Sequence, residues 1–227
     1  MPDYRAIEDA GVTMLSLLED RMGRDPGDPE SPEKPITDAQ IALVSPGEVT
    51  ETTRGNEDPI RLSLYLYRVE PSEGLANQPT RQIDATTVRD APLALDCYYL
   101  LTAYPGEGTQ DPSTNRHQQH RVLGRAMQVL RDEAVIREGD LSGTLRSPLH
   151  VSPVAQPMAE VLDIWNTFED RPYQPSVAYL VSPVEIDPAE DREVDRVLER
   201  QTHYRVRDHV AERAAENGSG DDGDGDD

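Results

Sequence analysis

The sequence predicts an α/β (α+β) fold: a mixed β-sheet packed by three amphipathic helices and followed by an acidic C-terminal extension. Three patterns lead there. The first is residues 91–105, APLALDCYYLLTAYP, the longest nearly uncharged run in a chain that is 29% charged, interrupted only by Asp96. Such a Leu- and Tyr-rich stretch suits a strand that is apolar on both faces, as the middle of a sheet requires. The second is the alternation of residues 60–69, IRLSLYLYRV. The third is the recurrence of apolar residues at helical spacing in three separate stretches.

In chain order, residues 3–22 place Ile7, Ala10, Gly11, Met14, Leu17, Leu18 and Met22 on one stripe, with acids and arginines elsewhere. This is an amphipathic helix packed on a sheet. Residues 23–35 carry Pro26, Pro29, Pro32 and Pro35, and are expected to be a loop or disordered insertion, because proline removes donors and blocks helix. Residues 36–44 end in IALV, after which Pro46 and Gly47 turn the chain into EVTETT. That alternation suggests an exposed strand, and the two runs together suggest a hairpin.

Over residues 60–69, Leu62, Leu64 and Leu66 face one way and Arg61, Ser63, Tyr65 and Tyr67 the other. Residues 71–90 are polar and expected to loop out. In the central strand, Leu93, Leu95, Cys97, Tyr99 and Leu101 fall on one face, and Ala94, Tyr98, Leu100 and Tyr104 on the other. Neither face suits water, so other layers, or a partner chain, must cover both.

Ser113 or Thr114 is expected to cap a second helix over residues 115–134, with Val122, Leu123, Ala126, Met127, Val129, Leu130 and Ala134 at helical spacing. Residues 141–154, broken by Gly143, Pro148 and Pro153, predict an edge strand or turn. A third helix follows over 157–168, with Pro157 in its first turn and Val161, Leu162, Ile164, Trp165 and Phe168 on its buried side. Residues 173–186 form the last long strand.

These elements make one domain, 1–187, whose 23–35 loop is proline-rich. Beyond it, residues 188–216 predict a charged helix that frays or docks on a partner, and residues 217–227 a disordered acidic tail.

Charge narrows the function. The chain has 44 acidic against 22 basic residues, and Lys34 is its one lysine. Removing the five aspartates of the tail from the net charge of −22 still leaves −17, so the acidity belongs to the folded body. Such a body repels phosphate backbones and anionic lipid, which argues against nucleic-acid and membrane partners. It suits a halophilic host, where salt screens self-repulsion within about 3 Å at 1 M. One cysteine, Cys97, excludes an internal disulfide or multi-cysteine zinc site, and its apolar setting marks it as core. MPDYRAIEDA has no signal-peptide pattern, and no run has the roughly 18 apolar residues of a membrane span, so a soluble chain made in the cytoplasm is expected.

Candidate chemistry is sparse. His117 and His120 would share a helix face, a two-ligand metal geometry, but Arg116 and Arg121 flank them and no carboxylate or cysteine is near. A solvated helix start fits better. His150, His203 and His209 are isolated. Asp96 would suit a catalytic carboxylate if buried alone, and would fix the packing if paired with Arg61 or Arg121. GEG at 106–108 is a turn, and no phosphate loop, nucleophile elbow or paired-cysteine motif is present. No catalytic, cofactor or metal residue is expected.

Three blocks, residues 91–105, 120–136 (HRVLGRAMQVLRDEAVI) and 160–187 (EVLDIWNTFEDRPYQPSVAYLVSPVEID), follow one another with short gaps. In that order, with LSLYLYRVEP at 62–71, they resemble the N-terminal domain of the cap, or tail-terminator, proteins of phage-tail-like contractile injection systems. The resemblance implies a compact α/β subunit that assembles as a homo-oligomer, a hexameric ring, on the distal end of inner tube and sheath, stops their polymerisation, and belongs to a particle that can be released. The proline-rich insertion, the acidic composition and the C-terminal extension depart from that pattern.

A ring subunit needs contact surfaces, and Tyr65, Tyr67, Tyr98, Tyr173 and Tyr179 are candidates, since tyrosine joins a large rigid face to a polar tip. The plainer reading is that these rings finish the core. Two other functions compete: a stand-alone acidic adaptor that binds a partner through its C-terminal helix, and a small enzyme centred on Asp96.

Overall fold

A computed structural model of the chain describes residues 2–23, 36, 40–49, 59–75, 79–84, 86–106, 111–169 and 171–193. The chain divides into two units at residue 193, and the described residues all fall in the first, Met1–Glu193. The proline-rich segment (its first residue, Gly23, apart), the charged helix from residue 194 onward and the acidic tail lie outside the described residues.

Helix α1 (Ala6–Met22) buries Ala6, Ala10, Met14, Leu18 and Met22, a row of every fourth residue. Such a row runs along one side of a helix, so one edge of α1 goes into the core. Glu8 and Asp9 in its first turn and Arg21 in its last complement the helix dipole.

The main sheet comprises β1 (Ile41–Ala42), β2 (Leu62–Pro71), β5 (Leu93–Ala103), β6 (Val135–Ile136), β7 (Leu149–Val154) and β8 (Ser176–Ile186), in the order β1-β2-β5-β8-β7-β6. Only β1 and β2 run parallel, so the sheet is mixed. The uncharged run lies at its middle: β5 pairs β2 on one side and β8 on the other. Leu95, Cys97, Tyr99, Leu101 and Ala103 of β5 enter the core shared with α1 and with α2 (Pro112–Asp132). Burial pushes the Cys97 thiol up to about 12, which leaves it inert at neutral pH. The alternate residues Ala94 and Leu100 are also buried, on the opposite face. There α3 (Met158–Asn166) covers part of the sheet through Trp165.

Several local expectations are corrected. The cap of α2 is Asp111, not Ser113 or Thr114. Its carboxylate accepts the Ser113 amide at 3.0 Å and both hydroxyls, because Pro112 fills the first helical position and places the acid just ahead of it. Those hydrogen bonds hold Asp111 well below its ordinary 3.8, at about 2. Since the folded value is depressed, the stabilisation is complete above pH 3.8 and is lost as pH falls toward 2. Asp111→Asn keeps a cap that does not titrate. The stability advantage of the wild type over this variant is expected to shrink to nothing between pH 4 and about 2 in acid-unfolding curves; a constant gap would refute it.

No hairpin joins 36–44 to EVTETT within the described residues: Ile41 and Ala42 pair parallel to Leu62 and Ser63, Glu48 lies in a turn and Val49 is helical. Parallel pairing brings the buried Ile41 against α1, which the exposed hairpin would not. Residues 71–90 are not a plain loop. They hold β3 (Arg81–Gln82) and β4 (Thr87–Arg89), which form a small second sheet with β9 (Arg192–Glu193), so residues 192–193 are strand where helix was expected. Polar two- and three-residue strands lack the apolar alternation that marks a strand; the Arg89–Asp191 ion pair clamps them instead.

Candidate assembly interface

The tyrosines fall on different faces. Tyr179 is buried in the main core and shows only a small part of its ring, at the floor of a groove between α2 and β7. The others lie on the α3 side of the sheet or beside it. Tyr65 meets Phe168 edge-on, with ring centroids 5.7 Å apart; Phe168 meets Trp165 at 5.8 Å, and Trp165 meets the exposed Tyr173 at 5.5 Å. Tyr67 stands 6.2 Å from Tyr98, and its hydroxyl accepts a hydrogen bond from Gln156 Nε2 at 2.6 Å. Arg68, ion-paired with Glu70, lies 4.9 Å over the Tyr98 ring. Tyr65, Tyr67 and Tyr98 are half-buried. They therefore both close this face and remain partly available to a partner.

α3 is the least covered helix. Its expected buried side was Val161, Leu162, Ile164, Trp165 and Phe168, yet only Trp165 is fully buried. Leu162 is 40% exposed and Met158 is exposed as well. Among the described residues this nine-residue helix has no second layer above it, so its outer row stays in solvent.

The two ends of the main sheet differ. At the β2 end, β1 pairs only Leu62 and Ser63, so from Leu64 to Pro71 the outer edge of β2 has no strand partner among the described residues. At the other end, β6 pairs Leu149 and His150, and Val151 donates its outward amide to Ala134 O at 2.9 Å. The next outward position, Pro153, has no N–H. One end can accept a strand; the other is closed to one.

Asp96 does not pair with Arg61 or Arg121. It accepts a hydrogen bond from the Ser182 hydroxyl, while Arg61 Nε donates to Tyr104 O at 3.2 Å. Position and register explain this: Asp96 sits where β8 carries the extra Ser182–Pro183 step, far along the strand from Arg61. Around it, Arg68, Glu70, Glu73 and Tyr98 line a shallow groove with no histidine or nucleophile aimed into it. His117 and His120 are exposed on α2. Among the described residues no three His, Cys, Asp or Glu side chains are grouped to hold a metal, and no helix is long and apolar enough to cross a membrane. A cavity of about 240 Å³ bordered by Ile60, Tyr104 and Trp165 has Arg171 as its one charged group among the described residues, tied to Gly47 O at 3.0 Å. Among the described residues these sites position rings and backbone edges rather than converging reactive groups.

The model of the Pvc16 N-terminal domain matches residues 12–200, most of the chain. The chain belongs to the Pvc16 N-terminal domain family. The structure is similar to the cryo-EM structure of the PVC sheath/tube terminator of an extracellular contractile injection system in its extended state. The TM-score is 0.57 at 16% identity, over 95% of this chain and 72% of that one. It is also similar to the cap of the anti-feeding prophage, a tube-terminating cap, with a TM-score of 0.47 at 18% identity over 73% of this chain and 56% of that one. No curated protein sequence matches the chain. The fold of this chain is thus a mixed sheet with helices on both faces, a compact α/β subunit as the resemblance of the three blocks implies, and likeness at this identity speaks to fold.

Sequence reasoning missed the unequal sheet ends. Pro153 inside a strand was the available signal for the closed one; the open one had none, because whether a strand has a neighbour is decided by distant residues.

Proposed function

We propose that this Pvc16-family chain is a terminator cap: a homo-oligomeric, hexameric ring that closes the distal end of the inner tube and sheath of a contractile injection particle and ends their polymerisation. Family membership supports the setting, and the unequal sheet ends support the mechanism. A polymer ends when a subunit occupies the last free edge without offering another. Here the outer edge of β2 is the receptive one, and Pro153 with the Val151–Ala134 hydrogen bond closes the opposite one. The bulge between Leu66 and Arg68 and the Arg68–Glu70 pair restrict which strands the open edge admits. No catalytic activity is proposed.

The test is the particle itself. A strain lacking the gene is expected to make tubes and sheaths of uncontrolled length; particles of normal, uniform length would overturn the reading.

The acidic body supports assembly at high salt. With a net charge of −22, the melting temperature is expected to rise with KCl from low to molar concentration as self-repulsion is screened. Equal melting at both ends of the series would count against a halophilic setting.

A further inference from the structure

The acidity is not evenly spread. Helix α2 carries Arg116, Arg121, Arg125 and Arg131 against the single acid Asp132, a basic element in a chain with twice as many acids as bases. Arg131 is exposed and has no hydrogen-bond or ion-pair partner among the described residues. Beside it lies a groove of about 430 Å³ between the end of α2 and β7, with an apolar floor of Leu130, Val135 and Tyr179, Pro153 in its wall and Met127 and Arg131 at its mouth. Helix α3 is the counterpart: it has Glu160 and Asp163 and no basic residue, and it exposes Met158 and Leu162, which lie one turn apart on the same row.

The two surfaces lie on opposite sides of the sheet. α2 packs on the face of Leu95, Cys97, Tyr99 and Leu101. Trp165 of α3 reaches the other face, donating through Nε1 to Ser176 Oγ, which in turn contacts Thr102 Oγ. Surfaces on opposite sides of one subunit cannot meet each other within it. They can meet head to tail between copies, and a repeated head-to-tail contact makes a ring when its rotation closes.

We propose that the occupant of the α2–β7 groove is α3 of the next copy, with Leu162 and Met158 seated between Met127 and Pro153, and Asp163 facing Arg131. This rests on the terminator reading for its setting but is a separate contact from the tube and sheath edges. Complementary charge sets the register and the buried apolar row supplies most of the affinity.

The experiment uses the full chain, alone at high concentration and within purified particles. Met127→Cys and Leu162→Cys are made as separate variants, mixed, and treated with a short bis-maleimide; Cys97 is buried and does not compete. The mixture is expected to give cross-linked dimers that neither variant gives alone, and the double variant a ladder of higher oligomers. Arg131→Glu is expected to lower the yield about tenfold or more, and Asp163→Arg in the facing copy to restore it. Each variant cross-linking by itself as well as the mixture would mean a two-fold contact and overturn the proposal, as would absence of the cross-link both in solution and in particles. Uniformly capped particles without the cross-link would reject this contact alone. A ladder from a chain whose loss leaves particle length unchanged would reject the terminator reading alone.

Discussion

Trp165→Ala is expected to lower the stability of the described domain by about 3–5 kcal/mol, the usual cost of deleting a large buried ring. Trp165 is 4% exposed and is the only fully buried residue of α3, whereas its neighbours Glu160, Leu162 and Asp163 face solvent. Its indole N–H donates to Ser176 Oγ at 3.3 Å, and its ring touches Phe168 and Tyr173. Remove it and α3 loses its one fully buried side chain, with Val161, Ile164 and Phe168 only half-buried around it. Hydrogen exchange is expected to rise in α3 first, and the urea midpoint to fall. Trp165→Phe, which keeps the ring but not the N–H, should cost only about 1 kcal/mol. Because this is the only tryptophan, unfolding is followed by circular dichroism. An unchanged midpoint in the alanine variant would mean that α3 is held by something else.

Leu101→Ala is expected to cost about 2–5 kcal/mol, and Leu93→Ala close to nothing. By alternation the two leucines share a face of β5, and sequence reasoning treats them alike. The structure separates them. Leu101 is fully buried, paired with Leu64 on one side and Val177 on the other beneath the helices, whereas Leu93 is 52% exposed at the strand's start. Truncation at position 101, inside a three-strand ladder, adds a cavity term to the lost burial. Equal urea midpoints for the two variants would refute this account of the core.

Tyrosine composition points toward contact surfaces but not toward which face each ring takes: four of the five rings lie on or beside the face under α3, and Tyr179 packs into the main core. The apolar row of the third helix is visible in the sequence as a row, but periodicity reports which residues share a side, not what stands opposite them, so it places the whole row inside. Asp96 stood out as the lone charge in an apolar run, yet its partner is Ser182, eighty-six positions away, rather than an arginine chosen by charge alone.

What the sequence by itself determined is local: the periods of 2 and 3.6 that place strands and helices, the central position of the one uncharged run, the prolines that end or blunt elements, and the charge balance that sets surface chemistry. These follow from the geometry of a few consecutive residues. Tertiary structure alone decided that β1 runs parallel to β2, that short polar strands form a second sheet, and that α3 keeps only its tryptophan buried. It also decided that, among the described residues, one sheet edge is open while the other is closed. Each of those depends on contacts between residues far apart in the chain, where the free energy of burial and pairing outweighs weak local preference, and no short stretch of sequence contains both partners.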